Sequence, residues 1–186
     1  QHFPKHHFPC SKFSIEPVID VPMAYYFKSK GLFRTLGGIF SDLINFRFQL
    51  FYDRFFVLSK LKKDPYDNFQ WIINSQKKSK QRFTIFFLVG DYTNFDKNIS
   101  ITKKRFITLI KSMRDYCEVG LKCSYMALAD LIILKKEKQE LDGVLNTTTE
   151  KVRSSFSKVN LPSTYRNYVE LEIKKDYSMG YPDEIG

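Results

Sequence analysis

Asp20, Asp91, Lys122, Ser124, Arg153 and Asp176 are the residues of this chain whose types and placement can do chemistry together. Each lies at or just past a short strand-like segment. "SIEPVID" closes on Asp20, and "RFTIFFLV" runs into Gly90-Asp91. "EVGLKCS" carries Lys122 and Ser124, "KVRSSF" carries Arg153, and "KKDYSMGY" carries Asp176. Parallel α/β folds bind ligands at the carboxyl ends of their strands. Carboxylates converging there can act as acid and base or hold a metal. One such Asp by itself is more often a cap for the next loop or helix, so the recurrence is the signal. Cys123 is a weaker candidate. Lys122 beside it can lower its pKa, but the three histidines, His2, His6 and His7, are remote in sequence. "HFPKHHFPC" groups those histidines with Cys10, without zinc-finger spacing.

The elements that must position these residues are legible from periodicity. "KFSIEPVID" (12–20) reads as a strand and "VPMAYYFKSKG" as a loop. Residues 32–63 place Leu32, Leu36, Ile39, Leu43, Phe51, Phe55 and Leu58 at helical steps, with a break predicted at Gly37-Gly38. "KDPYD" (63–67) is a turn, and Phe69, Ile72 and Ile73 share a helical face. "RFTIFFLV" (82–89) is a continuous apolar run, as expected of a strand buried on both faces. Helices follow at 102–117, 127–145 and 162–173, with strands at 118–124, 151–156 and 174–181. Alternation of this kind predicts an α/β fold with a parallel sheet, open or closed as a barrel.

The chain has 186 residues, enough for one domain with a core. Its hydrophobic fraction of 43% and aromatic fraction of 16% exclude disorder as the general state. Three cysteines without a CxxC pair do not make a disulfide framework. No signal peptide or apolar run of spanning length is visible, so a cytoplasmic setting is expected. The formal charge of +10 favours anionic partners, acidic glycans among them, while nucleic acid has only that charge behind it and is not expected. Tyr25, Tyr26, Tyr92 and Tyr125 are candidates for stacking on sugar rings.

"VIDVPMAYYFKSKG", "FFLVGDYTNFDKNIS", "EVGLKCSY", "VRSSF" and "DYSMGYPDEIG" occur in an order that resembles bacterial polysaccharide deacetylases, the NodB-like branch of carbohydrate esterase family four. The resemblance runs from about Phe13 to Gly186. It implies a distorted (β/α) barrel and metal-dependent removal of an acetyl group from a sugar, with an Asp and two His holding zinc or another divalent ion. It implies Asp20 as base, Arg153 orienting it and Asp176 holding the arginine. Asp91, Tyr92, Lys122, Ser124 and Tyr125 would line the substrate groove.

The sequence departs from that pattern at the metal. Pro22 stands in place of a second Asp, Lys122 in place of a metal-binding His, and Ser155 in place of another His. A lysine ammonium repels a metal. The resemblance therefore implies a glycan-directed scaffold whose grip on metal is lost, with no metal residues assigned. Lys122 is expected to pair with Asp20 or Asp91. Residues 1–12 are expected as a flexible segment and 13–186 as the domain, with 32–63 as a helical insertion covering it. Aromatic and basic residues give 32–63 the character of an interfacial helix, although a membrane partner is not expected. The family's last motif would lie beyond Gly186, so the scaffold is expected to be incomplete at its C-terminus. That would leave an open sheet edge on which a protein partner can pair.

Overall fold

The computed structural model describes residues 15–180. The expectations for residues 1–12, and for the His-rich segment with Cys10, fall outside that range. Five strands, β1 (Val18–Val21), β2 (Thr84–Leu88), β3 (Glu118–Cys123), β4 (Lys151–Ser154) and β5 (Lys175–Asp176), form one sheet in sequential order. All four pairings are parallel. Six helices accompany them among the described residues: α1 (Leu32–Ile44), α2 (Phe48–Leu58), α3 (Phe69–Ser79), α4 (Lys104–Arg114), α5 (Leu131–Leu145) and α6 (Ser163–Glu170).

Register sorts the strand residues onto two faces. Ile85, Phe87, Leu121, Cys123 and Val152 pack with Phe69, Ile72, Ile73, Phe106, Ile110, Leu134 and Leu141 in one core under the helices. A run of right-handed crossovers between sequential strands places its helices on one side in this way. The other face carries Asp20, Phe86, Gly120, Lys122 and Arg153, because alternate strand residues share a side. Gly120 is required there. A Cβ at that position would run into the Phe86 ring and lie 3.0 Å from the Lys151 carbonyl oxygen.

This second face is curved. Outer strands of a flat five-strand sheet would stand about 19 Å apart. Yet Tyr177, just past β5, donates a 2.8 Å hydrogen bond to Glu16, just before β1. The Tyr177 ring also packs on Phe86 at 5.2 Å. Lys151 bonds Glu16 at 2.8 Å and Thr84 at 3.1 Å, and it also pairs with Glu118. Three hydrogen bonds to Glu16, led by the one from Lys151, hold its carboxyl down at about 2.

The insertion differs from expectation in two respects. Gly37 and Gly38 lie inside α1, and the break falls at Asn45–Arg47. Gly38 is kept small by the Arg54 guanidinium, which lies where a Cβ would point. Arg54 pairs with Asp42 at 2.8 Å and stacks over Phe27 at 5.0 Å. The expected cover on the sheet is also absent, since Asp42 is the only buried residue of α1, and only Arg54 and Val57 are buried in α2. The Asp42–Arg54 pair joins the two helices to each other, Arg54 also reaches Phe27, and the apolar stripes face outward. Below it the buried Asp64 carboxylate accepts backbone N–H groups from Tyr26, Phe27, Lys28 and Tyr66, fixing the loop after β1.

Candidate functional site

Lys122 and Arg153 are paired neighbours in register, and Asp20 sits one step lower on the same face. The geometry follows from that placement. Lys122 Nζ lies 2.9 Å from Asp20 Oδ2, and Arg153 Nε lies 3.3 Å from the same oxygen. Lys122 is 8% exposed, so its charge is sheltered from water and matched chiefly by one carboxylate. Two cations on one carboxylate leave the cluster with a net positive charge.

Above the cluster is a cavity of about 350 Å³ at the carboxyl end of the sheet. Pro22, Leu88, Lys122 and Ser155 line its floor, with Phe95 and Phe156 among its walls. Phe156 and Ser157 both have positive φ, at 58° and 50°, a conformation costing non-glycine residues about 1 kcal/mol or more each. That turn carries the Phe156 ring to the cavity and against Tyr125. Tyr125 stacks on Phe95 at 4.2 Å, and the Lys158 ammonium lies over the Tyr125 ring at 5.1 Å. A larger groove of about 710 Å³ runs along β1 beside α3, lined by Ile19, Phe69 and the exposed Trp71. It shares Pro22, Met23 and Tyr66 with the cavity, so the two are adjacent parts of one cleft region.

The remaining residues singled out by sequence are dispersed. Asp176 pairs in register with Val152, which places it on the helix side, away from Arg153. Its carboxylate accepts from Tyr165 at 3.2 Å and from the Ser178 backbone at 2.9 Å. The expected Asp176–Arg153 support is thus replaced by Asp20 alone. Asp91 is exposed and pairs with Lys136 of α5 at 2.7 Å. Tyr92 lies under the Arg34 guanidinium at 4.3 Å, beside α1. Ser124 is buried, its N–H donated to Glu137 and its hydroxyl accepting from Ala127. Tyr25 is buried against Phe69, while Tyr26 packs on Tyr66 at the cleft. Cys123 is fully buried on the helix side, and burial pushes its thiol far up, which removes it as a nucleophile or ligand at the mouth.

Glu137 was not anticipated. It is 1% exposed, and one oxygen accepts from Ser124 N–H while the other has no partner among the described residues. Burial raises its pKa to about 7. Its place on the stripe Leu134, Glu137, Leu141, Leu145 was a readable signal of burial.

The donor set does not fit a divalent metal. Pro22 has no donor, Lys122 brings a positive charge, and the Ser155 hydroxyl is donated to the Cys123 carbonyl at 2.7 Å. Among the described residues no three His, Cys, Asp or Glu are grouped to hold one. No protein family, curated protein or solved structure matches the chain.

Proposed function

We propose that the chain is a polysaccharide-deacetylase-like protein that binds glycans and does not hydrolyse them. The observation that carries this reading is the meeting of Pro22, Lys122 and Ser155 around one cavity. They come from three separate strand ends, and each stands where the resemblance implies a metal-holding side chain. Any parallel sheet brings its strand ends to one rim, so it is the residue types at these three positions that support the reading. The curved parallel sheet is, on this reading, a partly closed deacetylase-type barrel.

Lys122 supplies at the mouth a fixed cation in place of a metal ion, and Asp20 is committed to it instead of to a water molecule. Arg153 shares the same Asp20 oxygen with Lys122. What the cleft retains is suited to a chain of sugar rings. It has exposed aromatic surface at Trp71, Tyr66 and Phe156, and the Lys122 ammonium at its floor.

Incubation with acetylated chitooligosaccharide, with and without zinc, followed by acetate measurement, tests the first half. No release above background is expected, and zinc-dependent release would overturn it. Calorimetric titration with the same oligosaccharide tests the second half. Saturable binding is expected, weakened about three- to tenfold by Trp71→Ala or Phe156→Ala. Absence of saturable binding would remove the glycan reading.

A further inference from the structure

The helix pair α1–α2 has its amphipathicity turned outward. In α1, Leu32, Leu36, Phe40 and Leu43 recur at helical steps, flanked by Phe33 and Ile44, and all six are exposed. Phe33 is 94% exposed and Phe40 68%. At 100° per residue this stripe lies opposite Gly38 and Asp42, the positions that meet Arg54. In α2, Phe48, Tyr52, Phe55 and Phe56 are likewise exposed. Twelve large apolar residues between 32 and 58 face solvent, well beyond the scattered exposure of an ordinary surface.

Charge rims this face. Residues 28–63 hold eight Lys and Arg against two Asp. Arg54 and Lys62 use those two, so Lys28, Lys30, Arg34, Arg47, Lys60 and Lys63 have no carboxylate partner among the described residues. They lie at the ends of the two helices. Such a pattern, aromatic below and cationic at the edge, is that of helices lying in a membrane interface. No helix among the described residues is long and apolar enough to cross a bilayer.

We propose that α1 and α2 dock the protein on an anionic phospholipid surface. Both helices lie in its plane, with Phe33, Phe40, Phe48 and Phe55 among the acyl chains and the basic rim on the headgroups. Charge decides between this occupant and a second copy of the chain. A two-fold contact through this face would set like charges, Arg47, Lys60 and Lys63 among them, against their own copies, whereas anionic lipid complements them. The loop after β1 leads into α1, and Arg34 reaches Tyr92 just past β2, so the docking face adjoins the carboxyl-end rim of the sheet. Docking would hold the cleft near sugars borne at the surface.

Vesicle co-sedimentation of the whole chain tests this. Binding is expected with phosphatidylcholine vesicles containing phosphatidylglycerol, and little with phosphatidylcholine alone. Phe33→Asp with Phe40→Asp should lower binding by about tenfold or more. Lys60→Glu with Lys63→Glu, or high salt, should weaken it as well. Circular dichroism checks that the exposed substitutions leave the fold intact. Failure to bind anionic vesicles, or undiminished binding by the double Asp variant, would overturn the proposal. A vesicle-free dimer that Phe33→Asp with Phe40→Asp dissolves would assign the face to a second copy instead.

Discussion

At the residue scale, the mouth is organised by one carboxylate serving two cations. Removing either side has unequal consequences. Asp20→Ala leaves Lys122 sheltered and without its main partner, and should lower stability by about 2–4 kcal/mol in denaturant titration. Lys122→Met removes the charge with its burial cost and leaves Asp20 with Arg153, so it should change stability by less than about 1.5 kcal/mol. Glu137 makes a prediction in pH. Its folded pKa of about 7 lies above the ordinary 4.5, so the native state holds the extra proton between those values. Stability is therefore lost as pH rises from about 4.5 to 7, and the full penalty remains above 7. Glu137→Gln keeps the acceptor for Ser124 and removes the charge. Its melting temperature should exceed that of the parent at pH 8, by an amount equivalent to about 1–3 kcal/mol, with the difference shrinking toward pH 4.5.

At the element scale, Gly120 shows how a strand is shaped by what crosses it. Gly120→Ala would force the Phe86 ring and the β4 backbone apart, at a cost of about 1–3 kcal/mol measured by thermal melting. The strands and helices themselves were largely legible. The apolar run at 82–89 is a strand because both its faces are buried, and the three later helices kept their periodic faces. The site was legible in part. Strand-end chemistry identified Asp20, Lys122 and Arg153, but strand alternation decides which face a residue takes. Asp176 pairs with Val152 and Cys123 alternates with Lys122, so both turn to the helices. Gly37-Gly38 suggested a break because glycine weakens helices, yet Gly38 makes room for a buried guanidinium from a neighbouring helix. Phe95 and Phe156 reach the cavity through loop geometry, which residue periodicity does not encode.

At the scale of the whole molecule, the sheet is drawn together by Glu16, which meets Lys151 from β4 and Tyr177 from beyond β5. Because its pKa is held down near 2, its contribution is present above the ordinary 4.5 and fades as pH falls toward 2. Glu16→Gln should lower the melting temperature at pH 7 by an amount equivalent to roughly 0.5–1 kcal/mol, since the side chain is partly solvated. The gap between variant and parent should close in an acid titration. A loss unchanged at pH 2.5 would assign the effect to packing instead.

The tethering of the mouth's cation to the backbone has a practical consequence. A bound ion can be stripped, exchanged for a neighbour in the periodic table, or left unfilled when supply is short. The ammonium of Lys122 can suffer none of these. If the cleft binds glycan as proposed, chelators, metal starvation and metal substitution should all leave that affinity where it was, in surroundings rich or poor in zinc.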